Sequence, residues 1–258
     1  IFFMIPYEDK FTLIGTTDID HNQSASEVEI SDEEKQYICD SANTYLNSEI
    51  KLSDIVWSYS GVRPLYDDGA SKAQEATRDY VIKAEEHDSS LMINIFGGKI
   101  TTYRRLSEAI LKHIETFLGQ RGGPWTDNSS LPGGDVDVDG LFDLNNKIQE
   151  KYPFLNEEIV KRLVRSYGTV SFDIFASAKN IESLGESFGS GLYEKEVVYL
   201  IQNEWARTSE DILFRRSKLG LSLTKNERQK LDQFLEKYQK LSKTSESSVK
   251  QDNIVETV

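Results

Sequence analysis

Residues 97 to 104 read Gly-Gly-Lys-Ile-Thr-Thr-Tyr-Arg, and their types and spacing indicate anion chemistry. They follow an apolar run, Leu91 to Phe96, that predicts a buried strand, and they open a stretch with apolar residues at helical spacing. A strand that passes into a helix through two glycines presents bare backbone N–H groups and the positive end of a helix dipole at one point. An anion, or an oxygen that becomes negative during a reaction, is favoured there. The alternative is that the two glycines only make a tight turn.

Three cations stand where predicted strands end or turn, in a region that is otherwise acidic. Residues 1–121 contain 21 Asp and Glu against 12 Lys and Arg, a net charge of −9. Arg63 ends one predicted strand, Arg78 begins the next, and Lys99 lies at the glycine turn. If those strands are neighbours, the three side chains converge at one sheet edge, where an arginine fork can hold two phosphate oxygens. The alternative for either arginine is an ordinary surface ion pair with Asp67, Asp68 or Asp79.

Histidine and cysteine indicate no catalytic or metal site. His21 and His87 lie in predicted polar loops and His113 in a predicted helix, with no Cys/His cluster of the kind that binds zinc. The single cysteine, Cys39, lies in a helical pattern, which favours a small core residue over a reactive thiol. The chain contains no serine nucleophile elbow, no Walker loop and no complete glycine-rich dinucleotide fingerprint.

Composition narrows the class of protein. A net charge of −13 and a pI near 4.8 argue against nonspecific binding of DNA or RNA, which depends on Lys and Arg. The same acidity argues against broad electrostatic adhesion to anionic lipid. Hydrophobic residues make up 38% of the 258 residues, enough for one large domain or two modest ones. One cysteine allows no internal disulfide and fits a reducing compartment, and no stretch approaches the ~20 apolar residues of a membrane span.

The first 120 residues predict mostly strands with two helices. Residues 1–17 read as a β-hairpin with a polar turn. Ser31, with Glu34 three residues later, forms a capping box that starts a helix ending near Leu46. Further strands are predicted at Ile55–Val62, Thr77–Ala84 and Leu91–Phe96.

The remainder of the chain predicts helices. Breaker-rich stretches at 119–124 and 131–135 place a domain boundary between them. Helical spacing then predicts segments at about 139–151, 156–167, 171–178, 193–206, 209–218 and 224–241. The last stretch, rich in Ser, Lys, Thr and Glu, has little to bury and predicts a disordered tail. We therefore divide the chain into residues 1–123, a helical domain at 124–242 and the tail at 243–258.

Seven short runs follow one another in the order and spacing of a known family. Four lie in the first domain: Ile14 to Asp18, Tyr59 to Leu65, Thr77 to Tyr80 and Phe96 to Arg104. Three lie in the helical domain: Leu131 to Gly134, Tyr152 to Leu155 and Asp211 to Gly220. Together these runs resemble the FAD-dependent glycerol-3-phosphate dehydrogenases, from residue 1 to about residue 241.

The resemblance implies an α+β fold. It implies the end of an FAD-dependent oxidoreductase domain of the glutathione-reductase-like, DAO type, with a mixed sheet, followed by an all-α C-terminal domain. It implies oxidation of sn-glycerol 3-phosphate to dihydroxyacetone phosphate, with a hydride passing from C2 to flavin N5 and the electrons passing on to a membrane quinone. It places the intact protein in the cytoplasm, peripheral on the inner face of the membrane, and leaves a homodimer open.

The resemblance also assigns roles to individual residues. Arg63 and Arg78 match positions that bind the phosphate end of the substrate, and Lys99 matches a residue at both flavin and substrate. Thr17 is a weaker match, for a residue that lines the pocket. The loop and helix start against the flavin pyrimidine are matched by Gly97, Gly98, Lys99, Ile100, Thr101 and Thr102. A reduced flavin gathers negative charge near N1 and its C2 carbonyl, which a helix N-terminus stabilises.

The chain departs from the family at two features. The family's glycine-rich fingerprint and its histidine general base lie N-terminal to the residues present here, and none of the three histidines matches that base. We therefore expect a fragment with no catalytic residue of its own, inactive alone, that binds FAD weakly because the pyrophosphate cradle is elsewhere. Ile1 to Ile5 already read as a strand, which also predicts further sequence upstream.

Two alternatives stay open. The first is a glycerophosphate oxidase, which shares the fold and passes electrons to oxygen; no long insert is evident between Asp68 and Thr77, which favours the dehydrogenase. The second is a noncatalytic module in which the helical domain serves docking or oligomerisation. The pair Arg215-Arg216 fits docking against the flavin domain or a partner subunit, and it fits equally a solvated basic face of an amphipathic helix.

Overall fold

The computed structural model describes residues 2–22, 24–63, 66 and 79–252, with side chains described as far as residue 241. The chain divides into two compact units, Ile1–Ser129 and Ser130–Val258, here called the N-terminal unit and the C-terminal unit. The division falls between the two breaker-rich stretches of the sequence. None of the helices in the described ranges combines the length and apolarity that crossing a bilayer requires.

The N-terminal unit contains two antiparallel hairpins. The first pairs β1 (Phe3–Tyr7) with β2 (Phe11–Gly15), and the second pairs β3 (Tyr80–His87) with β4 (Ser90–Gly97). Glu8 and Asp9 close the first hairpin with φ of 50° and 57°, the left-handed conformation that tight hairpin turns require. Both sheets in the described ranges are antiparallel pairs, so the parallel pairing that a mixed sheet also contains is not seen there.

The predicted strand at Ile55–Val62 is wrong, because residues 55–63 have no regular secondary structure. The side chains of Val56, Tyr59 and Val62 are exposed, and no strand among the described residues pairs with this segment. An apolar, aromatic run becomes a strand only where a sheet edge satisfies its backbone N–H and C=O groups.

Two helices complete the N-terminal unit. Helix α1 spans Asp32–Asn43 and begins with the predicted capping box: the Glu34 N–H donates to Ser31 Oγ at 3.2 Å, and the Ser31 N–H donates to Glu34 Oε2 at 3.0 Å. Helix α2 spans Tyr103–Leu118 and follows a single 3-10 turn, Ile100–Thr102, so the predicted passage from strand to helix through the glycines is confirmed.

The C-terminal unit is helical, as predicted. Its helices are α3 (Leu141–Lys151), α4 (Glu157–Tyr167), α5 (Ser171–Phe175), α6 (Glu194–Asn203) and α7 (Lys225–Asp252), with a π-helix at Asp211–Arg216. Their apolar faces meet in one core whose largest fully buried side chains include Tyr152, Phe175, Phe188, Leu200 and Leu231. Gly168 ends α4 with φ of 55°, as expected for the residue that terminates a helix.

A charged network lies inside this core. Glu196 is fully buried and accepts from Arg162 through both carboxylate oxygens, at 2.5 and 2.7 Å, and from the Tyr167 hydroxyl at 2.7 Å. Burial would lower the pKa of the Arg162 guanidinium, but the adjacent Glu196 carboxylate outweighs it and raises that pKa. Burial and then the charge of Glu196 hold the pKa of Tyr167 well above its usual range, so this hydroxyl remains a donor.

Helix α7 continues to Asp252, ten residues into the segment predicted to be a disordered tail at 243–258. Each residue added to an existing helix gains a backbone hydrogen bond without a new nucleation step, so a polar segment can extend a helix that has nothing to bury. Residues 253–258 lie outside the described residues.

Candidate functional site

The glycine turn after β4 is shaped by two residues with left-handed backbone. Gly97 has φ of 67° and Gly98 has φ of 97°, a region that residues with a Cβ rarely adopt. A Cβ built on Gly98 would lie 3.2 Å from the Cβ of Tyr80, its neighbour on β3. Both the φ angle and the close strand therefore favour glycine at position 98.

The entry to α2 offers backbone donors at this turn. Lys99 precedes the 3-10 turn without capping it, and its carbonyl accepts from the Thr102 N–H and from Thr102 Oγ1, both at 2.9 Å. Lys99, Ile100 and Thr101 are exposed, with Ile100 exposed to 86%. The backbone N–H groups of an uncapped turn that follows two glycines can donate hydrogen bonds to an anion or to a polarised carbonyl.

Arg63 forms an ion pair with Asp18. Its Nη1 lies 3.0 Å from Asp18 Oδ2, and the two side chains are 47% and 42% exposed. The two residues are 45 positions apart in sequence, so the contact joins the irregular segment 55–63 to the residues that follow β2. The aspartates that the sequence offers as partners close to Arg63 in the chain include Asp67 and Asp68, which lie outside the described residues.

Thr17, the predicted pocket residue, is held by α1. Its Oγ1 donates to Glu34 Oε1 at 2.6 Å, while the other carboxylate oxygen of Glu34 accepts from the Ser31 backbone. The Thr17 hydroxyl, and after it the Ser31 N–H, lower the pKa of the Glu34 carboxyl. One glutamate therefore both caps α1 and fixes the segment that contains Thr17 and Asp18.

Tyr66, three residues after Arg63, contacts the second hairpin. Its ring lies 5.5 Å from the ring of Phe96, centroid to centroid, and Phe96 directly precedes Gly97. Lys83 Nζ lies 5.2 Å from the Tyr66 centroid, and a hydrogen bond with the Tyr66 hydroxyl raises the pKa of the Lys83 ammonium. Arg63 thus contacts Asp18, and Tyr66 contacts the strand before the glycine turn.

Asp18 is one of the residues that line a shallow, open cleft of about 480 Å³ in the N-terminal unit. The cleft is lined by Thr16, Thr17, Asp18, Ile19, Glu33, Glu34 and Tyr37. A threonine hydroxyl, carboxylates and a phenol along an open groove can bind a small polyol through hydrogen bonds. Among the residues of this cleft, the sequence predicts a pocket role for Thr17 and a helix-capping role for Glu34.

The structure brings together some of the predicted site residues and leaves others apart. Arg63 lies beside Thr17 in that it pairs with Asp18, the next residue in the chain, whereas no contact within the described ranges links Gly97 to either of them. No hydrogen bond or ion pair within the described ranges links Arg63 to Lys99, so the predicted convergence at one sheet edge stays a prediction. The assignment of Arg78 lies outside the described residues.

The histidines take no part in this arrangement. His21 Nε2 lies 3.1 Å from the Ser24 carbonyl in an exposed loop, and His87 Nε2 lies 3.6 Å from Glu85 in the turn region of the second hairpin. Within the part of the chain that the structure describes, no group of three or more His, Cys, Asp and Glu side chains is arranged to hold a metal ion.

The arginine pair of the C-terminal unit separates into two different roles. Arg216 is mostly buried and donates Nε to the Glu204 carbonyl at 2.9 Å and Nη1 to the Asp211 carbonyl at 3.1 Å. Arg215 is 56% exposed and pairs with Glu210 and Asp211 at the surface. Arg216 is therefore used inside its own unit, and Arg215 matches the solvated basic face that the sequence also allowed.

Comparison with known families divides the chain in the same way. Residues 1–104 match the family described as FAD dependent oxidoreductase, and residues 124–248 match the C-terminal domain of alpha-glycerophosphate oxidase. The predicted fold class, an FAD-dependent oxidoreductase domain followed by a helical domain, is confirmed by these two matches.

Individual relatives agree with the family matches. The chain is 40% identical over 228 residues to a D-erythritol 1-phosphate dehydrogenase of Brucella abortus, which covers 88% of this chain and 45% of that protein. It is 38% identical over 248 residues to the aerobic glycerol-3-phosphate dehydrogenase of Escherichia coli, covering 95% of this chain and 49% of that protein. A glycerol-3-phosphate dehydrogenase of Pseudomonas aeruginosa is 38% identical over 237 residues, covering 92% and 46% respectively.

The chain thus spans a little under half the length of these relatives. The resemblance to the FAD-dependent glycerol-3-phosphate dehydrogenases, drawn from seven short runs, is confirmed over most of the chain. Because the two family matches follow one another along its length, the chain belongs to the FAD-dependent oxidoreductases, with a C-terminal domain of the alpha-glycerophosphate oxidase type.

Proposed function

We propose that this chain supplies the substrate side of an FAD-dependent enzyme that oxidises sn-glycerol 3-phosphate to dihydroxyacetone phosphate. The observation that supports this most strongly is a pair of contacts. Arg63 forms an ion pair with Asp18, and Tyr66, three residues later in the chain, packs on Phe96 beside the glycine turn. Relatives at 38% identity are named as glycerol-3-phosphate dehydrogenases, which agrees with a phosphate-binding arginine next to a flavin-binding turn.

Arg63 binds the substrate phosphate in this proposal, together with Arg78. The region around them has an acidic excess, so a phosphate dianion is repelled by the surface as a whole and bound only where arginines are presented. Planar guanidinium forks match the geometry of phosphate oxygens and can hold two of them at once. Thr17 and the cleft beside it receive the polyol end.

The glycine turn fits the pyrimidine end of FAD. A Cβ at Gly98 would crowd Tyr80, so this position requires glycine, and the turn at Ile100 and Thr101 has no side-chain cap to occupy its N–H donors. FAD, when bound, accepts the hydride that leaves C2 of the substrate. These residues hold the flavin and stabilise negative charge on it, and Lys99 adds a positive charge at the same turn. In this proposal the proton of the C2 hydroxyl goes to the family's histidine general base, which the resemblance places N-terminal to the residues present here.

The remainder of the site comes from an FAD-binding region that this chain does not contain. A dinucleotide needs a glycine-rich cradle for its pyrophosphate, and the sequence has none. We therefore expect the chain to be inactive until it is preceded by such a region, a form here called the extended enzyme. We place the extended enzyme in the cytoplasm, peripheral on the inner face of the membrane, where a quinone takes the electrons, and a homodimer is compatible with this placement.

The test is turnover by the extended enzyme with bound FAD. Glycerol 3-phosphate should drive reduction of a redox dye with little release of hydrogen peroxide. Arg63→Ala should raise KM at least tenfold, because it removes a bidentate phosphate contact worth about 2 kcal/mol. Arg121→Ala, which removes an exposed arginine of the same unit, should leave KM unchanged. A flavin-loaded protein that oxidises no polyol phosphate would contradict the proposed substrate class.

Two other activities are favoured by particular observations. The matched C-terminal domain is named for alpha-glycerophosphate oxidase, so abundant peroxide in the same assay would identify oxygen as the acceptor. The relative at 40% identity is named for D-erythritol 1-phosphate, so a higher kcat/KM with that four-carbon substrate would identify it as the natural one. If the chain is instead a noncatalytic docking module, Arg63→Ala should have no effect on any turnover.

A further inference from the structure

Asp18 holds the Arg63 guanidinium by one particular nitrogen. The contact joins Asp18 Oδ2 to Nη1 at 3.0 Å, and within the described ranges neither Nε nor Nη2 of Arg63 makes a hydrogen bond. A guanidinium has five N–H donors in a fixed plane, and the Nε and Nη2 donors form one edge that can bind two oxygens in parallel. Binding Nη1 therefore leaves a complete two-donor edge for a second anion.

Asp18 is itself fixed in place. It follows Thr17, whose hydroxyl donates to Glu34 on α1 at 2.6 Å, and β2 ends only three residues before it, at Gly15. Arg63, by contrast, lies among the irregular residues 55–63, whose side chains are largely exposed. The aspartate is the anchored partner of this pair, and the arginine is the residue that needs orientation.

We propose that Asp18 is a positioning residue for substrate binding: it holds Arg63 by Nη1 so that the Nε and Nη2 edge is presented to the phosphate of the substrate. This inference rests on the proposed function and adds to it a residue that no motif assigned. An exposed ion pair of this kind contributes little to stability, so its value lies in the direction it gives the guanidinium. Orientation before binding removes the entropy of ordering a long side chain from the binding step.

The test compares Asp18→Ala with Asp18→Asn in the extended enzyme. Asp18→Ala should raise KM for glycerol 3-phosphate about tenfold with kcat within twofold, because it disorders the phosphate contact and leaves the reacting carbon untouched. Asp18→Asn should return KM to within threefold of the wild type, because its amide oxygen can still accept from Nη1. Asp20→Ala removes the same charge two residues away and should leave KM unchanged, which separates orientation from charge.

Four results would overturn the proposal. An unchanged KM in Asp18→Ala would mean that the carboxylate has no role in substrate binding. A lower KM would mean that the carboxylate only repels the phosphate. Equal damage by Ala and Asn would mean that its charge, not the hydrogen bond, matters. A loss of flavin occupancy in Asp18→Asn, the more conservative variant, would mean that the residue serves the fold.

Binding of inorganic phosphate tests the same anion site without turnover. Titrated calorimetrically into the extended enzyme, phosphate should bind at least tenfold more weakly to Asp18→Ala and nearly normally to Asp18→Asn. If phosphate follows this pattern while no polyol phosphate is oxidised, the proposed function is wrong and the positioning role stands. If turnover is found and Asp18→Ala changes neither KM nor the affinity for phosphate, the positioning role alone is wrong. Wild-type protein that binds no phosphate would contradict both.

Discussion

The two units of the chain differ most in how much hydrophobic surface they bury. In the described part of the N-terminal unit, Cys39 and Ala42 are the only buried hydrophobic residues. The C-terminal unit, of similar length, has a continuous core that receives side chains from all of its helices. All of the predicted site residues lie in the N-terminal unit, whose described part buries few hydrophobic side chains. The proposed chemistry is therefore assigned to the unit that gains less folding stability from hydrophobic burial.

Two elements of the N-terminal unit, β4 and α2, have apolar side chains that are not buried. On β4, Ile95 and Phe96 are 46% and 38% exposed, and because successive strand residues point to opposite faces, both faces of this hairpin are open. Helix α2 has an amphipathic pattern, yet none of its residues is buried. In the proposed account these faces are covered by the FAD-binding region, so folding of the site and completion of the site are one event.

The largest effect should come from breaking the charged network in the core of the C-terminal unit. Glu196→Ala leaves the Arg162 guanidinium buried without its carboxylate, and we expect a loss of about 3–5 kcal/mol in the free energy of unfolding. Urea denaturation followed by helix content measures it. Glu158→Ala, an exposed glutamate in the first turn of α4, should lose less than about 1 kcal/mol. Similar losses for the two variants would mean that the core does not depend on this network.

A smaller effect should separate the two arginines of the π-helix. Arg216→Ala removes donors to the Glu204 and Asp211 carbonyls and should destabilise the unit by about 1–3 kcal/mol. Arg215→Ala removes only surface pairs and should cost less than about 1 kcal/mol. The same denaturation experiment measures both. If Arg215→Ala were the more damaging of the two, Arg215 would have a role that the surface pairs do not explain.

The smallest effect concerns the N-terminal unit and its pH dependence. The pKa of Glu34 is lowered in the folded chain, first by the Thr17 hydroxyl, so its contribution to stability is complete above the ordinary glutamate pKa and is lost as pH falls through the lowered value. Carbon NMR of the Glu34 carboxyl in the extended enzyme should show a midpoint below the ordinary one. Thr17→Val should move that midpoint upward, and an unchanged midpoint would contradict the Thr17 contact.

Local signals in the sequence predicted much of the fold. The Ser31 and Glu34 capping box, the helical spacing of the C-terminal unit and the glycines at 97 and 98 each reflect interactions between residues close in the chain. Such patterns depend on hydrogen bonds and φ angles that the residues themselves determine. The wrong strand at Ile55–Val62 shows the limit, because whether an apolar run forms a strand depends on a partner elsewhere.

The sequence selects candidate site residues but does not predict the contacts that they make. Motifs select Arg63, Thr17 and the capping residue Glu34, but no motif predicts that Arg63 pairs with Asp18 or that Thr17 donates to Glu34. Asp18 is 45 positions from Arg63, and no spacing rule connects them. Tyr66, Lys83 and Phe96 are similar, because no spacing in the sequence predicts that Tyr66 contacts both of the other side chains.

Amide hydrogen exchange tests the contrast between the units most directly. It should be measured by mass spectrometry on the 258-residue chain alone and on the extended enzyme. The account predicts that α4 and α6 are strongly protected in both proteins, whereas β3, β4 and α2 exchange quickly in the chain alone and become protected only in the extended enzyme. If β3 and β4 were already as protected as α4 in the chain alone, the N-terminal unit would be complete by itself, and the central claim would be wrong.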